Sequence, residues 1–511
     1  MNPELLIPAL AVFTVLAREL LWVGAVGILL CSLDDLAVDL LYLWRRLARR
    51  RRGGGSALPP LPAPPPLPGA FAILVPAWDE AAVIGPMLRR LLATLQHPSY
   101  RLFVGCYPND PATREAVASI GDPRIRLVTT GHPGPTTKAD CLNALWRAVE
   151  DEAALGGVDY KAVVLHDAED VVHPLSLQVY DRFMPALAMV QLPVLPLADR
   201  NSRWISGHYL DEFAESHAKD MVVRGLLGAA VPSAGVGTAI DCRALRRLAG
   251  ADGLPFDSDS LTEDYELGYR LHRAGHKAAM VRVRVGGELV ATREYFPATL
   301  DAAVRQKSRW LTGIALSGWD RLGWDGSLWA RWWLARDRKG LFAVAVTFLA
   351  YGAAAMLGGQ VLLRSMLEAE TGQALPPLFA ESGWLSALLW VNAAMLLWRL
   401  LWRGLFVARD YGWIEGLRAV PRSLVGNLVN FLAAMRAVDR YQRALGHEGG
   451  LRWEKTEHRF PAADAAYRYP AADAAHLYPA DAAYPHPAAE AAYPYPAEAG
   501  CFHSSMAVVR G

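Results

Sequence analysis

The sequence predicts a doubly wound α/β domain joined to about three transmembrane helices, with a disordered C-terminal tail behind them. Three observations predict it. Short apolar runs alternate with helically spaced segments from Ala70 onward, three stretches are apolar and long enough to cross a bilayer, and the chain ends in a proline-interrupted repeat. A chain of 511 residues has room for one large domain with membrane helices attached. Hydrophobic residues make up 53% and there are 17 tryptophans, a composition that suits anchoring at a membrane surface. The net charge of +1 argues against a nucleic-acid binder, which needs a dominant basic field. Cys31, Cys106, Cys141, Cys242 and Cys501 are scattered without a Cys-x-x-Cys pair, so neither structural zinc nor a disulfide framework is expected.

Residues 5–31 are mostly apolar, and a span needs roughly 20 residues. Arg18 and Glu19 interrupt this run, as residues facing another helix would. It is too long for a cleaved signal peptide and lacks the basic start of one. A basic cluster around Arg45, Arg46 and Arg49 to Arg52 follows, and the positive-inside rule keeps it cytoplasmic. That defines a first unit at residues 1–52. Residues 53–69 form a proline-rich, semi-rigid linker. Residues 70–318 carry the α/β domain. Residues 319–340 gather Trp319, Trp324, Trp329, Trp332 and Trp333 among basic side chains, which suits the headgroup layer. Residues 341–407 contain two spans, at 341–363 and 384–407. Their connecting loop carries Glu368, Glu370 and Glu381 against a single base, Arg364, as an outward loop does. Residues 408–459 mix apolar positions with arginines around Pro421 and are expected as interfacial helices. Residues 460–511 have too much proline for a helix and too little apolar surface for a core.

Each apolar run of the α/β domain ends in a polar turn, and ligands of such sheets sit beyond the carboxyl ends of the strands. The first turn holds Asp79-Glu80 and the second Asn109-Asp110. Both pairs suit a nucleotide's base and ribose, and both suit helix capping equally well. Lys138 opens a helix, where an ammonium and a helix N-terminus can meet diphosphate oxygens. A solvated helix start is the plain alternative. His166-Asp167-Ala-Glu169-Asp170 is a stronger signal. Carboxylates two residues apart after a strand can aim at one Mg2+ or Mn2+, which takes oxygen ligands and keeps positions open for phosphate. Solvated acids in a strand-end turn are the competing reading, and His166 and His173 suit structural roles. Thr262-Glu263-Asp264 starts a helix with Thr262 as a plausible N-cap. Asp264 is the candidate general base, although acids also complement a helix dipole there. Gln306-Lys-Ser-Arg309-Trp310 puts Gln306 and Trp310 one turn apart, with an indole for a sugar ring and a guanidinium fork for diphosphate.

In this order the motifs resemble those of membrane-bound family 2 glycosyltransferases, the family of cellulose and hyaluronan synthases. Tyr107-Pro-Asn-Asp-Pro-Ala-Thr113, Leu165-His-Asp-Ala-Glu-Asp-Val-Val-His-Pro174 and Leu451-Arg-Trp-Glu-Lys-Thr456 are similar to the branch serving the phage N4 adsorption system. The resemblance implies a GT-A-type nucleotide-sugar-binding domain, cytoplasmic, on a multi-pass protein of the bacterial inner membrane. It implies an inverting transfer from a UDP-sugar to a polysaccharide or lipid acceptor. Glu80, Asp110, Lys138 and Asp167 would contact the nucleotide sugar, and Asp167 with Glu169 would hold Mg2+ or Mn2+. Asp264 beside Glu263 would activate the acceptor, with Gln306, Arg309 and Trp310 on the acceptor and diphosphate side. Ser233-Ala-Gly235-Val-Gly237-Thr238 sits where the family has a glycine-rich acceptor loop. Membrane lipid and an outer-membrane export protein are the implied partners, and no nucleic acid. The expected product is a growing exopolysaccharide. Single transfer to a lipid acceptor, and an inactive scaffold of a secretion or phage-receptor system, are the alternatives. The metal motif departs from the family's usual Asp-x-Asp, which opens Asp170 as a sharer of the metal. In the phage-adsorption branch a cyclic-dinucleotide-binding domain follows the Arg-Trp-Glu-Lys-Thr stretch, and here the repeat tail stands in its place.

Overall fold

The computed structural model describes residues 3–51, 68–446 apart from 156–157, 185, 286 and 373–382, and two short pieces, 459–461 and 490–491. The Pro-rich linker, the Leu451-to-Thr456 stretch and nearly all of the expected tail lie outside the described residues. The strands ahead of the second candidate span are β1 (Ala70–Pro76), β2 (Tyr100–Cys106), β3 (Ile125–Thr129), β4 (Tyr160–Leu165), β5 (Met189–Gln191) and β6 (Val194–Pro196). They continue as β7 (Thr238–Asp241), β8 (Ala278–Met280), β9 (Val283–Val285), β10 (Glu288–Leu289) and β11 (Thr292–Glu294).

The main sheet has the order β3-β2-β1-β4-β7-β5-β8. β1 to β4 pair in parallel, and β7 runs antiparallel between β4 and β5. β1 is buried on both faces: Phe71, Ile73 and Val75 face one layer, Ala72 and Leu74 the other. That two-sided burial is why its sequence is a continuous apolar run rather than an alternating one. Helices Ala81–Thr94 and Ser176–Phe183 cover the first face through Ile84, Leu88, Leu177 and Tyr180. Helix Lys138–Ala154 covers the second through Leu142, Leu145 and Trp146. The result is the doubly wound α/β arrangement that the alternation predicts, GT-A-like as the motif resemblance implies. Outside it, β11 pairs with β6, and its Arg293 exchanges main-chain hydrogen bonds with Val171 at 2.7 and 3.1 Å. This ties β11 to the turn that follows β4.

Among the described residues, three helices are long and apolar enough to cross a membrane, over Val12–Ala48, Gly340–Glu370 and Gly383–Tyr411. The first belongs to a single helix, Pro3–Arg51, of 49 residues. At 1.5 Å per residue it is roughly 74 Å long, more than twice the hydrocarbon thickness of about 30 Å. The basic cluster is therefore the end of this helix rather than a separate segment. Gly24 and Gly27 let it pack closely against Ala350 and Val346 of the second. Arg18 and Glu19 stay exposed.

Its carboxyl-terminal half carries acids, and all of them are partnered. Asp34 meets Arg336 at 2.6 Å, Asp35 meets Lys339 at 2.8 Å and Arg399 at 2.6 Å, and Asp39 meets Lys219 at 2.5 Å. Trp332, expected in a headgroup layer, donates its indole N–H to Asp34 at 2.6 Å in the same junction. The interfacial helices expected after residue 408 turn out as one helix, Trp413–Gly446, which continues through Pro421. Proline removes a helical hydrogen bond there, but buried Arg422 pins the turn. Its guanidinium bonds Asp211 at 2.6 Å, the Glu415 carboxylate at 2.5 Å and the Glu415 carbonyl at 3.0 Å.

Candidate active site

The turns after β1 and β2 are built on one carboxylate. Asp110 caps helix Pro111–Ala118 by accepting from Thr113 N at 3.2 Å, with Pro111 at the first helical position. Its second oxygen accepts from Asp79 N at 2.6 Å. Asp79 sits at φ +55°, a sparsely populated region for a residue with a side chain, and this bond holds it there. Glu80 is buried, and its N–H donates to Thr113 Oγ1 at 2.9 Å. Trp78 stands edge-on to Tyr107 with ring centroids 5.1 Å apart. Asn109 exchanges hydrogen bonds of 2.8 and 2.7 Å with the Gly134 main chain, which passes under the Trp78 ring.

Beyond the carboxyl end of β4 lies a cavity of about 130 Å³. It brings together Lys138, Asp167, Glu169, Glu263, Asp264, Gln306, Arg309 and Trp310. Glu80 and Asp110 do not line it; they shape the neighbouring turns. Lys138 opens helix Lys138–Ala154, whose N-cap Thr137 accepts from Asp140 N at 3.2 Å. Its ammonium reaches Asp167 at 2.5 Å and the Gly235 carbonyl at 3.5 Å. Burial works against that charge, but Asp167, Glu263 and Asp264 outweigh it and hold the pKa above the usual lysine range. Gly235, at φ +77°, is the closest approach of the glycine loop: a Cβ there would lie 2.5 Å from Asp264 Oδ2. Only glycine accepts both that backbone and that contact.

The acids respond to burial as expected. Desolvation raises the Asp264 carboxyl, Asp167 adds to the rise, and Lys138 opposes it. Burial, with Asp264 beside it, pushes Glu263 up to about 7. Thr262 occupies the N-cap position of helix Glu263–Arg273 but makes no capping side-chain bond. Its side chain instead abuts Gly313, in the π-helical turn Thr312–Ser317 that extends the Gln306–Trp310 helix. Such turns often occur at functional sites. Trp310 meets Tyr209 edge-on at 6.1 Å, and Phe213 and Phe296 complete an aromatic wall.

Asp170 is used by the fold. It is 2% exposed, accepts from Asp167 N at 3.1 Å and meets His166 Nδ1 at 2.7 Å, so it shapes the turn that presents Asp167 and Glu169. Burial pushes His173 down to about 3, and its neutral ring accepts from Leu175 N at 3.1 Å.

Sequence reasoning passed over two residues. Glu294, at the end of β11, lines the same cavity, and its carboxyl is raised well above the usual range by burial and by Asp170, Glu169 and Asp167. Its only sequence signal was an acid ending a short run before Tyr295 and Phe296. Gln191, fully buried, holds the glycine loop by accepting from Ala234 N at 2.8 Å and Thr238 Oγ1 at 2.6 Å and donating to Val236 O at 2.8 Å. Asp167, Glu169 and Glu294 thus offer oxygen donors to one space, the donor chemistry that Mg2+ and Mn2+ take. Among the described residues no three acidic, histidine or cysteine side chains already converge at ligating geometry, and Lys138 holds Asp167. The donor set fits a hard divalent cation.

Residues 68–313 match the model of the family described as "glycosyltransferase like family 2". These residues are a family 2 glycosyltransferase domain. Around this family 2 domain the chain is 38% identical over 464 residues to bacteriophage adsorption protein B of Escherichia coli K12, covering 86% of this chain and 61% of that protein. The same figures hold for bacteriophage N4 adsorption protein B of Escherichia coli O157:H7. The chain therefore spans 61% of the length of these relatives. Among solved structures it is similar to the mannosyltransferase PcManGT from Pyrobaculum calidifontis in complex with GDP-Man and Mn2+, at 18% identity, 78% of this chain, 99% of that one and a TM-score of 0.45. It is also similar to glucosyl-3-phosphoglycerate synthase from Mycobacterium tuberculosis in complex with Mn2+, UDP and phosphoglyceric acid, at 17% identity, 51% of this chain, 80% of that one and a TM-score of 0.31.

Proposed function

We propose that this chain is an inverting glycosyltransferase of the bacterial inner membrane that transfers a sugar from a UDP-sugar to a growing exopolysaccharide. The observation that carries this reading is the convergence of Lys138, Asp167, Glu169, Asp264 and Arg309 with Trp310 on one cavity. Trp78, backed by the buried Tyr107, flanks the nucleotide base, with Asp79, Glu80 and Asp110 shaping that end. Lys138 and the N-terminus of its helix meet the diphosphate, and Arg309 meets it from another wall. Asp167 and Glu169, with Glu294 beside them, would hold Mg2+ or Mn2+, which offsets charge on the departing diphosphate.

The acceptor's sugar ring stacks on Trp310 and presents a hydroxyl to Asp264. That oxygen attacks the anomeric carbon from the face opposite the diphosphate. The hydroxyl proton passes to Asp264, the bond to the diphosphate breaks, and its electron pair leaves with the nucleotide. Burial strengthens Asp264 as a base, and the Lys138 ammonium opposes that rise. The uridine assignment comes from the synthases that the motif series resembles. The basic end of the first helix supports a cytoplasmic position for the domain.

The experiment is nucleoside diphosphate release by the full chain in lipid nanodiscs, across UDP- and GDP-sugars, with Mg2+ or Mn2+. One UDP-sugar is expected to turn over only with metal and to yield a polymer, with both signals absent in Asp264→Asn. Release that persists in Asp264→Asn, or no release with any donor, overturns the reading.

A further inference from the structure

Helix Pro3–Arg51 buries one side and exposes the other, and the exposed side keeps a single period along its length. With Val12 at position d of a heptad, the d positions are Val12, Glu19, Val26, Leu33, Leu40 and Leu47. The a positions are Leu16, Val23, Leu30, Ala37 and Trp44. Apart from Glu19 and Ala37 these are large apolar side chains, each between 43% and 62% exposed, and Glu19 is exposed with them. The buried side carries Ala17, Ala25, Val38, Tyr42 and Arg45 and packs on the other two candidate spans and on the domain. A strict seven-residue apolar repeat is what a left-handed coiled coil requires of each of its helices.

The seam runs past the depth at which lipid can cover it. Asp34, Asp35 and Asp39 pair with Arg336, Lys339, Arg399 and Lys219, and such a belt of charge marks the end of the hydrocarbon. Leu40, Trp44 and Leu47 lie beyond the belt, and all three are more than half exposed. At 1.5 Å per residue Leu47 stands roughly 20 Å past Asp34, whereas the headgroup layer adds only about 5–8 Å on each side of the bilayer core. At the other end Glu19 sets a carboxyl into the same seam roughly 22 Å from Asp34 on the hydrocarbon side. Acids at that depth turn toward protein or pair with one another. Both ends of the seam therefore fit a protein surface better than lipid, and a helix that covers both must hold the same repeat over about 53 Å.

We propose that the seam is covered by the same seam of a second copy of this chain, the two first helices forming a parallel, left-handed coil about a two-fold axis along the membrane normal. Copies inserted with the same charge bias lie parallel and at the same depth, so a meets a and d meets d without a shift. The half-exposed large side chains of one seam offer an area on the order of the 800 Å² per partner that a stable interface buries. Leu33, Leu40 and Leu47 at successive d positions are the choice that a two-stranded coil favours. Glu19 is the one polar residue of the repeat. It meets its counterpart across the axis and fixes the register, as a single polar core position does. The residues lining the catalytic cavity all lie outside this helix, so the interface goes beyond the transferase reading and stands apart from it.

The test places one cysteine at a time on the first helix of the full chain, in bacterial membranes, with Cys31 and Cys501 replaced by serine. Oxidation with copper-phenanthroline is expected to link two copies through Val26→Cys, Leu33→Cys, Leu40→Cys and Leu47→Cys at least tenfold more than through Arg46→Cys, which is exposed but off the seam. Native mass spectrometry from lipid nanodiscs is expected to give twice the 55.8 kDa of one chain. Leu40→Glu combined with Leu47→Glu puts like charges opposite each other and is expected to return the mass to one copy at an unchanged melting temperature, since both positions are exposed. Should that pair melt early, the cysteine series still decides. A single-copy mass for the unaltered chain, or cross-linking no stronger on the seam than at Arg46, overturns the proposal. Those are the results expected of a seam covered by lipid, by residues 53–69 or by an unlike partner.

Discussion

Asp264 sits between a burial that raises its proton affinity and a Lys138 ammonium that lowers it. Replacing it with asparagine keeps the shape and removes the base, so turnover is expected to fall by about 10²- to 10⁴-fold, with donor affinity unchanged by calorimetry. A base works only when deprotonated, so activity should be lost as pH falls through its folded pKa. Since burial raises that pKa, the acid limb of the kcat profile is expected above the ordinary aspartate range. A limb at or below that range would remove Asp264 from the role. Gly235→Ala is a sharper probe, because its Cβ would lie 2.5 Å from Asp264 Oδ2 on a φ of +77°. The left-handed backbone alone costs roughly 1–2 kcal/mol, and turnover should drop with Asp264 displaced; wild-type kcat in this variant would show that the loop does not set the base. Lys138, Asp167, Glu169 and Asp264 were legible in sequence because each follows an apolar run or opens a helix. Glu294 and Gln191 were not, since one depends on the β11 contact with Val171 and the other on a loop folded over it. Asp110 was legible only as two alternatives, and its capping bond is the part the geometry displays.

The helix that carries Asp264 is wired to the segment leading into the second candidate span. Tyr265 and Tyr269, on helix Glu263–Arg273, donate to Asp337 at 2.7 and 2.8 Å, and Arg224 bonds the same carboxylate with both guanidinium arms at 2.8 and 2.9 Å. Burial opposes the Arg224 charge, and Asp337 more than restores it. Asp337→Asn leaves that guanidinium buried without its counter-charge, a change costing about 3–5 kcal/mol in comparable pairs. The variant is expected to melt markedly lower and, where folded, to lose kcat more than donor affinity, because the start of the Asp264 helix loses its anchor. Unchanged melting and kcat would show that Asp337 is a bystander. At this scale the strands and apolar runs were legible, since burial on both sheet faces writes itself as continuous hydrophobicity. Helix Trp413–Gly446 was not, because Pro421 signals a break that only the distant Asp211 and the Arg422 turn overrule. Helix Pro3–Arg51 outruns its apolar stretch for a similar reason: Asp34, Asp35 and Asp39 are tolerated only with partners from elsewhere in the chain.

Those same ion pairs fix how the candidate spans approach the family 2 domain. The first helix meets it through its carboxyl-terminal half, at Asp34 to Asp39. The second begins beside Arg336 and Lys339, which pair with Asp34 and Asp35 of the first, and the third joins Asp35 through Arg399 and reaches the domain's Glu215 through Arg403. Three helix ends therefore gather on the domain side, and the opposite ends of the described helices point away. Counting basic residues groups the same ends that the ion pairs bring together, and the positive-inside rule makes that side the cytoplasmic one in the topology proposed above. It predicts that Glu381→Cys reacts with a membrane-impermeant maleimide in spheroplasts, whereas Leu155→Cys, 87% exposed on the domain, reacts only after permeabilisation. Cys106, Cys141 and Cys242 are buried and contribute little background, and Cys501→Ser removes the tail thiol. The reverse pattern would place the domain outside, away from any cytoplasmic nucleotide sugar, and would overturn the transferase reading together with the topology. Labelling of both positions before permeabilisation would mean that the third helix does not cross, leaving the ion-pair junction as an aqueous packing feature rather than a membrane boundary.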